Sequence, residues 1–214
     1  MDFQRGKGIE MTQYHDEEYM SKKRSLELWD KKIIDRIEVG TVKGLQEIHA
    51  YIFQDVFDFA GQLRKVNLSK GNFRFAPLLF LESNLAIIDQ MPENTFDEII
   101  EKYVEMNVAH PFQEGNGRAG RIWLDLLLKK NLSICIDWAQ VDKENYLSAM
   151  ERSPVNSLEI KHLLKQALTE HIYDRQVYMR GIQQSYRYED LDRYDIHDLE
   201  RYYRREHQDW SRED

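Results

Sequence analysis

Between His110 and Arg121 the chain reads HPFQEGNGRAGR, and no other stretch restricts the fold as tightly. Apolar residues at helical spacing (Phe96, Ile99, Ile100, Tyr103, Val104) run up to the histidine. Helical patterning resumes after the second glycine with RAGRIWLDLLLKK. Two helices, over 95–109 and 118–130, must therefore meet at a tight polar loop. Thr95 is a plausible N-cap, with Asp97 and Glu98 in the first turn. The second helix has a wide apolar face and is predicted to be central.

The residue types in this loop suit one kind of chemistry. Gly115 and Gly117 let successive backbone N–H groups point inward, and the positive end of the following helix adds to them, which makes a place for anions such as phosphate. Arg118 and Arg121, three apart, lie on one face of that helix and supply fixed positive charge. Glu114 is a hard oxygen ligand of the kind that holds Mg²⁺ against phosphates. His110 titrates near neutrality and is suited to taking a proton from a hydroxyl. Together these point to phosphoryl or nucleotidyl transfer from a nucleoside polyphosphate.

The rest of the chain reads as a helical bundle with one interruption. Helices are expected over 14–38, 42–56, 78–90, 141–152, 155–169 and 171–185. LRKVNL (63–68) and FRFA (73–76) each alternate apolar and polar residues around the turn composition SKGN, so a short β-hairpin over 63–76 is expected as the only sheet. Pro77 closes it and opens the next helix. The segment 190–214 is charged and tyrosine-rich, and is expected to be a solvated helix or partly disordered.

The 214 residues suit one large domain or one domain plus an appendage, and a net charge of −8 disfavours a general nucleic-acid binder. Cys135 is the only cysteine, so an intrachain disulfide is impossible, a Cys-based zinc site is disfavoured, and a reducing cytoplasm fits. No apolar run approaches a membrane span or a signal core. A cytoplasmic bacterial location is expected, with export as an effector left open.

The run HPFQEGNGRAGR resembles the full signature of the Fic family, His-x-Phe-x-Asp/Glu-Gly-Asn-Gly-Arg-x-x-Arg, at every specified position. The upstream segment Ile48–Ala76 is also similar to Fic domains. The resemblance implies an all-α Fic bundle with one inserted hairpin, the flap. It implies a protein adenylyltransferase that moves AMP from ATP, with Mg²⁺, onto a Ser, Thr or Tyr hydroxyl of a target protein. On that reading His110 is the catalytic base, Phe112 holds the loop, Glu114 binds the metal, and Gly115, Asn116 and Gly117 form the anion hole. Arg118 and Arg121 hold the β and γ phosphates. Lys70 and Gly71 at the flap tip, Asn107, and Tyr146 on a later helix complete the expected nucleotide-binding set. A target segment is expected to pair with the flap edge. A homo-oligomer stays open.

Many Fic proteins carry an inhibitory helix with the pattern Ser/Thr-x-x-x-Glu-Gly/Asn. Here Ser185 and Glu189 match it, while Asp190 stands where Gly or Asn is expected. The resemblance thus implies a Fic domain over 1–189, whose inhibitory helix lies at about 171–189, followed by the tail 190–214. Glu189 is expected to pair with Arg121, and Tyr186 and Tyr188 become candidates for self-modification if that helix unfolds. Two alternatives stand beside this reading. One is a Fic-fold enzyme that transfers another nucleotide or removes AMP. The other is a binding module with a vestigial site.

Overall fold

The computed structural model describes residues 16–70 and 73–201. Gly71, part of the expected nucleotide-binding set, lies outside the described residues, as do 14–15 of the first expected helix and 202–214 of the tail.

Helix α1 (Glu17–Asp30) is capped by Asp16, whose carboxylate accepts from the Glu18 and Tyr19 amides. It stops well short of residue 38, because Lys32 turns into the left-handed region at φ 53°. Ile34–Arg36 then form only a 3₁₀ turn, and Thr41 caps α2 (Val42–Phe53). The flap follows, with β1 (Ser69–Lys70) and β2 (Phe73–Arg74) antiparallel and Lys70 opposite Phe73. Of the alternating residues 63–68 only Leu68 reaches across the hairpin, its O accepting from Phe75 N at 3.3 Å. Arg64 turns its side chain inward instead, and its amide donates to Pro111 O at 2.8 Å.

A 3₁₀ turn after Pro77 leads into α3 (Leu81–Asp89). Helix α4 (Phe96–Ala109) opens with a full capping box: Thr95 accepts from the Glu98 amide, and the Glu98 carboxylate accepts from Thr95 N. Such a cap contributes about 1 kcal/mol. After the glycine loop comes α5 (Asn116–Leu132), which packs against α4, α2 and the last helix. Ala119, Trp123, Leu124, Leu127 and Leu128 of α5 are fully buried, so it is the axis of the bundle.

A second ladder, absent from the sequence reading, joins β3 (Cys135–Ile136) to β4 (Leu168–Thr169). Between these strands lie α6 (Lys143–Arg152) and α7 (Leu158–Gln166). Helix α8 (Arg175–Arg187), capped by Asp174, returns across α1 and α5.

The chain beyond α8 is not a solvated tail through residue 199. Ile196 and Leu199 are buried. The amides of Arg193 and Tyr194 donate to the Glu18 carboxylate, and Ile196 N donates to Gln183 Oε1. Lys22, fully buried in α1, bridges Glu18 and Tyr194 O. Polar side chains of α1 and α8 thus satisfy the backbone of this strap, which hides its packing from a composition reading.

Candidate functional site

The site forms where α4 ends and α5 begins. His110 is the C-cap of α4 in the left-handed region, φ 49° and ψ 65°, a backbone state uncommon for a residue other than glycine. Its Nδ1 lies 3.3 Å from Asn107 O. A carbonyl only accepts, so Nδ1 carries the proton and Nε2 is the basic nitrogen. The Phe75 ring of the flap stacks on the imidazole, with centroids 3.5 Å apart and planes at 16°.

The loop between the helices is fixed from two sides. Asn116 closes it on itself: its Oδ1 accepts from Phe112 N at 2.9 Å, and its Nδ2 donates to Phe112 O at 2.8 Å. The Asn116 side chain, expected in the anion hole, is therefore spent on loop shape. Phe112 is fully buried, as expected, and stacks on His49 of α2 at 3.9 Å. His49 was not singled out in the sequence, yet it is the second fixing point. Gly61 N donates to its Nδ1, which leaves Nε2–H to donate to Glu114 O, both at 2.9 Å. Burial pushes the His49 imidazole down to about 4, so it is neutral in the folded chain.

Gly115 caps α5 at φ 78°, and a Cβ there would stand 2.4 Å from the Phe53 ring. No side chain caps this end of α5, so its first-turn N–H groups lack intrahelical acceptors and face the loop mouth. A Cβ on Gly117 would meet Arg121 Nη1 and Glu189 Oε1, each at 2.9 Å. The glycine is needed for that approach.

Arg118 and Arg121 are both buried and both face Glu189, which extends from the end of α8. Arg118 Nε lies 2.7 Å from Glu189 Oε2, and Arg121 Nη2 lies 3.1 Å from Oε1. Arg121 also donates to Ser185 Oγ at 2.7 Å and to Ser185 O at 2.9 Å. Ser185 and Glu189 are thus brought to the arginine pair, as expected, and Glu189 spans both guanidiniums rather than Arg121 alone. A second carboxylate was missed in the sequence: Glu17, in the first turn of α1, lies 2.7 Å from Arg118 Nη1. Its sequence position, about a hundred residues from the loop, gave no signal.

The Arg118 ion pairs are close but poorly aimed, whereas Arg121 makes a hydrogen bond to Glu189. Arg118 Nε and Nη1 are buried without hydrogen-bond geometry to any partner. Burial opposes the charge on Arg118, but Glu189, Tyr186 and Glu17 outweigh it and hold its pKa above the usual value. Burial likewise opposes the charge on Arg121, and Tyr146, Glu189 and Tyr103 outweigh it. Both arginines are cations at any working pH, and Arg118 has N–H directions that its carboxylates leave unused.

Tyr146 lies beside this pair but is buried. Its hydroxyl meets that of Tyr103 at 2.6 Å, and its ring stacks on Tyr188 at 4.7 Å. One face of the Tyr146 ring is covered by Tyr188, whose hydroxyl donates to Val141 O at 2.9 Å. Tyr186 and Tyr188 are both buried, so neither is accessible unless the end of α8 detaches. Lys70 lies in β1 of the flap.

Glu114 is the exposed acid at the mouth, its side chain 59% accessible and 3.7 Å from Arg118 Nη2. Among the described residues no group of three or more His, Cys, Asp or Glu could hold a metal ion. A single carboxylate beside an anion cradle fits Mg²⁺, which typically takes one or two protein oxygens with phosphates and waters.

A helical bundle with a short hairpin beside a histidine-ended helix, and an arginine pair on the first turn of the next, defines the Fic fold. The chain belongs to the Fic/DOC family, which it matches over residues 40–128. It is 29% identical to the probable protein adenylyltransferase Fic of Salmonella typhimurium over 63% of this chain and 74% of that protein. It is 31% identical to the protein of the same name from Escherichia coli, over 57% of this chain and 68% of that protein. Protein adenylyltransferase VbhT of Bartonella schoenbuchensis is 32% identical over 72% of this chain, which spans only 34% of that protein. Among solved structures, the BepC protein of Bartonella tribocorum with bound AMPPNP superposes with a TM-score of 0.56 at 16% identity, covering 71% of this chain and 86% of that one.

Proposed function

We propose that the chain is a protein adenylyltransferase that uses ATP to modify a hydroxyl of another protein. The observation that carries this reading is the pairing of a histidine whose Nε2 is the basic nitrogen with the uncapped start of α5 and two buried arginines. The relatives' names point the same way.

In the proposed reaction the target hydroxyl lies at His110 Nε2 and gives it the proton as its oxygen attacks the α-phosphorus of ATP. The bond from that phosphorus to the bridging oxygen breaks, and pyrophosphate leaves. The first-turn amides of α5 stabilise the charge that develops on the phosphoryl oxygens. Arg118 and Arg121 take the β and γ phosphates once Glu189 has withdrawn from them. Glu114 would hold Mg²⁺, which supplies charge neutralisation between phosphates. The target's extended segment adds to the edge of the flap. No helix among the described residues is long and apolar enough to cross a membrane, and a cytoplasmic enzyme is the reading adopted.

The same proposal includes inhibition by α8. Glu189 spans the arginines that phosphates need, and Tyr188 covers Tyr146, so ATP and the end of α8 compete for one place. The unit is then a Fic domain through 189 with its own inhibitory helix.

The donor chemistry is tested with the Glu189→Gly protein and Mg²⁺ in bacterial lysate, comparing ATP labelled at the α or the γ phosphate. Adenylyl transfer puts label on protein from α-labelled ATP alone. Label from the γ position would replace this reading with phosphoryl transfer.

A further inference from the structure

We propose that Arg64 and Phe75, both in the flap region, are positioning residues for His110, so that the element receiving the target also fixes the base. The proposal rests on His110 acting as the base in the reading above.

The last carbonyls of a helix have no intrahelical donors, and that end is the negative pole of its dipole. Arg64 supplies what is missing. It is 4% exposed. Its Nε donates to His110 O at 2.8 Å and its Nη2 to Ala109 O at 3.2 Å. The same guanidinium donates to Val66 O at 2.6 Å and to Ala76 O, one carbonyl on each leg of the flap. One planar fork therefore gathers four carbonyls from the helix end and both flap legs.

Burial lowers the Arg64 pKa, and its four side-chain partners are neutral carbonyl dipoles. The backbone repeats the pattern, with Arg64 N donating to Pro111 O and Ala76 N to Val108 O. These tie the flap to the chain on either side of His110. Arg64 thereby holds the left-handed backbone of His110, Phe75 holds the plane of its ring, and Asn107 O selects the tautomer. A lysine at position 64 keeps the charge but, as a point donor, cannot span the four carbonyls.

The test uses the full chain with isotope-labelled histidine and follows the His110 imidazole by NMR. The variants are Arg64→Lys, Phe75→Leu and Phe75→Tyr. A stacked ring shifts the His110 carbon-bound proton upfield. The expected result is that this shift is lost in Phe75→Leu, kept in Phe75→Tyr, and moved or broadened in Arg64→Lys. In the Glu189→Gly background, Arg64→Lys is expected to lower kcat on the order of a hundredfold, as a misplacement near 1 Å does, with ATP affinity unchanged. His110 signals identical in all three variants would overturn the proposal, as would ATP affinity falling in step with kcat. The NMR comparison needs no turnover, so absent activity tells against the adenylyl-transfer reading alone.

Discussion

His49 shows how much of this site rests on a residue outside the signature. It accepts from Gly61 N, donates to Glu114 O and stacks on Phe112, all while neutral. Its folded pKa of about 4 lies below the ordinary 6.5, so the charged form is disfavoured on folding. The resulting stability is complete above pH 6.5 and is lost as pH falls towards 4, an amount of about 3 kcal/mol. Urea unfolding at pH 7.5 and pH 4 is expected to show that much less loss in His49→Gln, which does not titrate, than in wild type. An unchanged pH dependence in the variant would remove His49 as the cause. The sequence named His110, Glu114, Arg118 and Arg121 because their spacing is itself a signal. It could not name His49, Arg64 or Glu17, since each is a lone polar residue whose partners lie far along the chain.

Among elements, the end of α8 answers a question the sequence raised. Asp190 replaces the expected Gly or Asn, yet the helix ends there with Asp190 at φ 60°. Leu191 N donates to Tyr186 O and Asp190 N to Arg187 O, a Schellman closure. A left-handed residue with a Cβ costs about 1 kcal/mol. The exposed Asp190 carboxylate pairs with Lys143, and such surface pairs contribute under about 1 kcal/mol. Asp190→Gly is therefore expected to raise the thermal midpoint and lower basal AMP transfer by holding Glu189 in place longer. A higher basal rate would show that the Lys143 contact, not backbone strain, sets this end. Long helices such as α4 and α5 were legible because period and caps agreed. The flap was read as too long because Arg64 and its neighbours alternate like a strand while bonding to α4. Two-residue ladders such as β3–β4 carry too little pattern to read.

Across the whole molecule, both ends of the described chain converge on the arginine pair. Helix α1 brings Glu17 to Arg118 and offers Asp16, Glu18 and Lys22 to the strap that follows α8. The strap in turn bonds Gln183 and Arg187 of α8 through Asp192. Glu189 is thus held within a polar network, buried at Lys22 and Gln183 and exposed at Arg187 and Arg193, that reaches from residue 16 to residue 196, and releasing it means loosening that network. The catalytic half of the account was legible in one twelve-residue run. The holding half was not, because charged residues that bury themselves in pairs look like surface.

The central claim is that Glu189 stands where ATP phosphates must bind for His110 to act. Its most direct measurement is the initial rate of label transfer from α-labelled ATP to protein, compared for wild type, Glu189→Gly, and Glu189→Gly with His110→Ala. The rate is expected to be low in wild type, at least about tenfold higher in Glu189→Gly, equivalent to about 1.4 kcal/mol, and absent in the double variant. Equal rates in wild type and Glu189→Gly, or transfer that survives the loss of His110, would contradict the claim.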